Sequence, residues 1–132
     1  MTSEAAVGSL RVLIVEDETL IRWALVETLT DAGHTVLQAT DAATALHTIE
    51  QESEPIDVVL LDFRLPDSDD LSLVERIRQQ TPSSAIVMMT AFGTSQMTAD
   101  ARRLGVFDVI AKPFDVAAVA GLLAEAYRSK TS

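Results

Sequence analysis

Three stretches of this chain are apolar without interruption and stop abruptly at a polar side chain: Val12 to Val15 before Glu16, Val58 to Leu61 before Asp62, and Ala85 to Met89 before Thr90. A strand with one wet face alternates apolar and polar residues. A run without alternation has both faces covered, as inside a parallel sheet. Two weaker runs, Thr35 to Ala39 and Val106 to Ala111, complete five candidate strands. Between them, helical spacing appears over Glu18 to Ala32, Asp41 to Glu52, Asp70 to Gln80, Ser95 to Leu104 and Asp115 to Arg128. Asp41 and Asp115 are placed to cap helix N-termini, Gly33 and Gly105 follow helices where a left-handed residue is often required, and Pro82 stops the third helix. Five βα units joined by right-handed crossovers predict an α/β, doubly wound parallel sheet with helices on both faces.

At 132 residues the chain suits a single domain, large enough to bury roughly two thirds of its unfolded surface. No linker-like stretch divides it, so residues 10–128 are expected to form the domain, with 1–9 and 129–132 as loose ends. The chain has no cysteine; disulfides and thiolate metal sites are excluded, and a metal must be held by oxygen or imidazole. The net charge of -10 argues against direct nucleic-acid binding, which depends on Lys and Arg displacing counterions. Residues 1–8 lack the basic and apolar regions of a signal peptide, and no apolar run approaches the ~18 residues of a membrane span. A cytoplasmic protein that does not enter membranes is the expectation.

In a doubly wound sheet, ligands collect outside the carboxyl ends of the strands, where the winding reverses. The polar residues ending the runs, Glu16 with Asp17, Asp62, Thr90, and Lys112 near the end of the fifth strand, are all expected at that edge. Each alone is an ordinary loop residue, but together they are a constellation. Three carboxylates so close repel one another unless a cation is present. Mg²⁺ suits the set, because it takes oxygen ligands and is commonly held by one or two carboxylates plus phosphate.

Val12-Leu-Ile-Val-Glu16-Asp17-Glu18, Val58-Val-Leu-Leu-Asp62-Phe-Arg-Leu-Pro66, Met89-Thr90-Ala91 and Lys112-Pro113-Phe114 resemble, in order and spacing, the four signature stretches of response-regulator receiver domains. The likeness covers about residues 10 to 128. Thr90-Ala-Phe-Gly and Gly105-Val-Phe-Asp further resemble receivers of the nitrogen-regulatory transcription-activator class. The resemblance implies a flavodoxin-like fold of strand order 2-1-3-4-5 and a signalling domain, rather than an enzyme, of a two-component phosphorelay. Asp62 would accept phosphoryl from a histidine kinase or histidine phosphotransfer domain, and Mg²⁺ would be held by Asp17, Asp62, the backbone carbonyl of Arg64 and, through water, Glu16. Lys112 would neutralise a phosphoryl oxygen and Thr90 would donate to another. The Lys112–Pro113 bond would be cis. The fourth helix, fifth strand and fifth helix would form the output face and a possible homodimer contact, while Ile21, Ala24 and Thr28 would help dock the partner's histidine-bearing helix.

Four positions depart from or elaborate the pattern. Val109 stands where such domains carry Tyr or Phe, and Phe107, two residues earlier, shares its face parity on a strand. Asp70 replaces a usual Gly near a helix start, where a carboxylate suits the helix dipole. Arg64 and Phe92, two residues after Asp62 and Thr90, are expected to shield an acyl phosphate from water. Leu20, Ile21, Trp23 and Ala24 are expected to be mostly core, and His34 and His47 surface residues remote from the site. Asp67, Asp69 and Asp70 do not make a Ca²⁺ loop, because the required Gly is absent.

Two readings of other classes compete. An aspartyl-phosphate hydrolase needs an Asp four residues before a Thr at the first strand's end, and Val15 holds that place before Thr19. A flavodoxin needs a hydroxyl- and glycine-rich phosphate loop, which Glu16-Asp-Glu would repel. Within the resemblance, a stand-alone receiver that shuttles phosphate or binds a partner is the alternative to a regulatory domain.

Overall fold

The computed structural model describes residues 8–131; most of the expected N-terminal segment and the last residue lie outside the described part. Five strands, β1 (Arg11–Val15), β2 (Thr35–Ala39), β3 (Val58–Asp62), β4 (Ala85–Thr90) and β5 (Asp108–Ala111), alternate with helices α1 (Thr19–Asp31), α2 (Ala42–Gln51), α3 (Ser72–Gln80), α4 (Ser95–Arg103) and α5 (Val119–Thr131). All strand pairs are parallel and the order is β2-β1-β3-β4-β5. This is the doubly wound, flavodoxin-like arrangement expected.

The unalternated runs occupy the sheet's centre: every residue of β3 and β4 is buried. Alternate residues feed two cores. Leu13, Val59 and Met88 pack with Leu46, Val74, Ile77 and Ala101 of α2, α3 and α4 on one face. Ile14, Leu60 and Val87 pack with Leu25, Leu29 and Leu123 of α1 and α5 on the other. Each fully buried aliphatic contributes about 1.5–3 kcal/mol over leaving it in water, so helices whose own propensity is modest are held by the sheet.

The punctuation behaves as anticipated. Asp41 accepts from Thr44 N at 2.7 Å to cap α2, and Gly33 and Gly105 have φ of 96° and 98°. Asp115 accepts from Ala117 N at 3.0 Å, but the segment after it begins with a 3-10 turn, Val116–Ala118. The α5 helix then runs through Thr131. Residues 129–131 of the expected tail thus continue α5. Strand β5 is also shorter than expected, starting at Asp108.

Four side chains differ from expectation. Leu20 and Trp23 are 80% and 62% exposed, because α1 turns only Leu25 and Leu29 fully onto the sheet. His34 is half-buried, and its Nδ1 accepts from Leu10 N at 3.0 Å. Phe107 precedes β5 and packs with the core that holds Leu60, whereas Val109 packs with the core that holds Val59. Strand parity does not carry across the end of the strand. No helix among the described residues is long and apolar enough to cross a membrane.

Candidate functional site

Parallel register lines up the strand ends. Val15 pairs with Leu61 and Ala39, Asp62 with Met89, and Thr90 with Ala111. Glu16 follows β1, Asp62 and Thr90 close β3 and β4, and Lys112 follows β5. The four side chains therefore leave the sheet at one edge. A cavity of about 370 Å³ opens there, lined by Asp17, Asp62, Arg64, Thr90, Phe92 and Lys112 among others.

Lys112 organises the charges. Its Nζ donates to Asp62 Oδ2 at 2.7 Å and to Glu16 Oε1 at 2.8 Å, with Glu18 Oε1 at 3.4 Å. Burial acts to lower the lysine's pKa, but the hydrogen bonds and charges of Asp62 and Glu16 outweigh it and hold the ammonium well above its ordinary value. Glu16 is fully buried. Burial raises its carboxyl, against the pull of the Lys112 ammonium and of Glu18 N, which donates at 3.0 Å. One cation faces more negative charge than it can balance, and a carboxylate oxygen from each of Glu16, Asp17 and Asp62 lies within 4.8 Å of the others. This hard-oxygen donor set fits a small divalent cation.

The loops are tied locally. Arg64 N donates to Asp62 Oδ1 at 3.1 Å. Leu65 and Ser68 exchange backbone bonds, and Leu65 is buried, so the segment after β3 is anchored at both hydrogen bonds and core. Thr90 is 5% exposed and its Oγ1 accepts from Phe92 N at 3.3 Å. Gly93 permits this loop: a Cβ there would lie 2.8 Å from Thr90 Cγ2. The Lys112–Pro113 bond is cis.

Every residue singled out for the site reaches this edge: Glu16, Asp17, Asp62, Arg64, Thr90 and Lys112. His47 is exposed on α2, and His34 lies at the opposite end of the sheet beside the start of β1. Ile21 and Ala24 line an adjoining apolar groove with Leu20, Pro113, Phe114 and Val116; Thr28 does not. Asp70 accepts from Ser72 N at 2.9 Å and Ser72 Oγ at 2.6 Å, at the start of α3. Three residues escaped sequence reasoning. Glu18 joins the Lys112 cluster, Asp67 accepts from Ala42 N and Ala43 N at 2.8 and 3.1 Å, and Arg22 binds the acidic loop. A run Glu-Asp-Glu hinted at the first, but the partners of Asp67 and Arg22 lie 25 and 16 residues away or in loop carbonyls, which no spacing rule encodes.

The pattern of the response regulator receiver domain family matches residues 12–124. The chain is 37% identical over 108 residues to the DNA-binding transcriptional regulator NtrC of Proteus hauseri, covering 80% of this chain and 22% of that protein. It is 32% identical over 106 residues to sporulation initiation phosphotransferase F of Bacillus subtilis, covering 80% of this chain and 84% of that one. Among solved structures, the CheY-like receiver domain protein of Methanospirillum hungatei superposes with a TM-score of 0.86 at 25% identity, over 94% of this chain and 98% of that one.

Proposed function

The chain belongs to the response regulator receiver domain family and is a phospho-acceptor module of two-component signalling; we propose that Asp62 is the acceptor, served by Asp17, Glu16, Arg64, Thr90 and Lys112. The observation that carries this assignment is the convergence of Asp62 and Lys112, at 2.7 Å, in the cavity that Asp17 and Thr90 also line.

The donor is a phosphohistidine on a histidine kinase or phosphotransfer domain. An Asp62 carboxylate oxygen forms a bond to phosphorus as the phosphorus–nitrogen bond breaks, and the imidazole departs with the electron pair, leaving an acyl phosphate. Lys112 is already within hydrogen-bond reach of that carboxylate and pairs with a phosphoryl oxygen as negative charge moves in. The Thr90 hydroxyl, at the end of β4, donates to a second oxygen; its present bond, in which Oγ1 accepts from Phe92 N, does not use the hydroxyl proton. Asp17, Asp62 and the Arg64 carbonyl would hold Mg²⁺, with Glu16 acting through an intervening water. When bound, the ion supplies neutralising charge to the phosphoryl oxygens. The domain's own removal of the phosphoryl, by water entering past Arg64 and Phe92, belongs to the same proposal.

Partner docking is assigned to Ile21 and Ala24 with the groove beside Lys112, and output to the face of α4, β5 and α5, where a second copy could also bind. The chain spans 22% of the NtrC relative, a DNA-binding transcriptional regulator, and 84% of the phosphotransferase. A regulatory role and a phosphate-shuttling role are therefore both within the family. Phosphorylation would shift an existing equilibrium of the output face.

Incubation with a small acyl-phosphate or phosphoramidate donor and Mg²⁺, read by intact mass and peptide mapping, tests the assignment. One phosphoryl on Asp62, absent in Asp62→Asn, is expected. An acyl linkage mapped to any other carboxylate sinks it.

A further inference from the structure

The acidic pair, Glu16 buried and Asp17 exposed, sits on a short stretch between the last rung of β1 and the first turn of α1. Its register with β2 ends at Val15 and Ala39, although Glu16 N still donates to Ala39 O at 3.0 Å. The α1 helix begins without a side-chain cap at Glu18. The loop that must aim Asp17 thus has little regular structure of its own.

Arg22, one turn into α1, reaches back over it. Nη1 donates to the Glu16 carbonyl at 2.9 Å and lies 3.5 Å from the Asp17 carbonyl, while Nε donates to Gln38 Oε1 on β2 at 3.1 Å. One planar guanidinium therefore ties three elements together: the loop carrying the acids, the helix after it and the neighbouring strand. A lysine cannot reproduce that fork, since it offers a single ammonium with no fixed geometry.

We propose that Arg22 is a positioning residue for the cation site, clamping the Glu16–Asp17 backbone to β2 so that the Asp17 carboxylate is held facing Asp62. The proposal rests on the reading that this edge takes Mg²⁺. It has a competitor with the opposite sign. A cation beside an acidic site weakens binding of another cation by repulsion, so a purely electrostatic Arg22 would oppose Mg²⁺ and its removal would tighten binding. A clamp, by contrast, orients ligands, and losing it weakens binding even though a positive charge has gone.

The test is Mg²⁺ affinity of the full chain, from amide NMR shifts of residues 16–18 and 62, for wild type, Arg22→Ala, Arg22→Lys and Gln38→Ala. Amide hydrogen exchange over residues 17–20 without Mg²⁺ is measured alongside. The clamp predicts about tenfold weaker binding for both Arg22 variants, at the low end of what loss of a ligand-orienting partner costs. A smaller loss is expected in Gln38→Ala, with faster exchange in all three. Gln38→Ala keeps the charge and the helix intact, so it reads the clamp even if Arg22→Ala folds poorly. Tighter binding in Arg22→Ala with Arg22→Lys unchanged overturns the proposal, as does unchanged affinity in all three. If wild type itself gives no Mg²⁺-dependent shifts at these residues, the reading of the site falls and takes the clamp with it.

Discussion

The Lys112 ammonium donates to the Asp62 carboxylate at 2.7 Å across 50 residues of sequence, and the same nitrogen holds the fully buried Glu16 at 2.8 Å. The lysine is thus both the cation of the candidate site and the counter-charge that makes a buried carboxylate tolerable.

Removing that counter-charge has a stability cost. Lys112→Met leaves Glu16, Asp17 and Asp62 facing one another with no ammonium between them. Urea unfolding is expected to register a loss of about 1–3 kcal/mol, the range for stranding a buried polar group. Millimolar-range Mg²⁺ should restore more stability to this variant than to wild type. Equal stability of the two proteins without Mg²⁺ would refute the counter-charge role.

Arg64 and Phe92 stand at the cavity's mouth, Arg64 exposed and Phe92 84% exposed. An exposed ring gains little from burial, and the role proposed for it with Arg64 is to obstruct water. In Arg64→Ala plus Phe92→Ala the phospho-form should lose phosphate several-fold faster, followed by intact mass after the donor is removed. An unaltered decay rate would deny them a shielding role.

Val109 packs with the α2–α4 side of the core and pairs with Met88. Phe107 packs on the other side of the sheet, so it cannot supply the ring that Val109 lacks. Val109→Ala should cost about 1 kcal/mol from lost burial and change phosphorylation-dependent amide shifts in α4 and β5 only modestly. Collapse of those shifts would mean that Val109 itself is the moving part.

The His34 imidazole is held below its ordinary value of 6.5 by burial, and its Nδ1 is occupied as an acceptor from Leu10 N. Because the unfolded chain binds the proton more readily, this contribution is present above the ordinary value and is lost as pH falls through the folded one. His34→Asn has an acceptor oxygen that does not titrate. The wild-type advantage over it, measured in urea between about pH 5 and 8, should shrink on acidification; a constant difference would rule out the linkage.

Gly105 has φ of 98°, and a Cβ there would lie 2.9 Å from Arg78 Cζ. Gly105→Ala should lose at least roughly 1–2 kcal/mol from the left-handed backbone alone. Combining it with Arg78→Ala should recover only the part due to collision. Full recovery would show that the backbone angle costs nothing.

Much of this protein was legible in its residues. Val58 to Leu61 and Ala85 to Met89 read as strands covered on both faces, because short apolar runs without alternation leave no wet face. Once strands alternate with helices in parallel, Asp62, Thr90 and Lys112 emerge at one edge, whereas the strand order 2-1-3-4-5 was what the resemblance implied. The shared edge follows from backbone geometry, so which of these residues meet there was legible in the sequence, while the roles proposed for them came from the family resemblance. Glycines at 33 and 105 were legible for the same local reason.

What only the tertiary structure decided are the relations that depend on which surfaces meet. Trp23 and Leu20 have core-type side chains, yet the orientation of α1 leaves them outside. Phe107 matches Val109 by alternation, but β5 begins after it and the ring goes to the other core. Arg22 reads as one more surface cation until β2 brings Gln38 to its Nε and the loop turns its carbonyls toward Nη1. Periodicity encodes how a segment hydrogen-bonds to itself and which of its faces is dry; the distance between two side chains from different segments is settled only when the sheet has closed and the helices have seated.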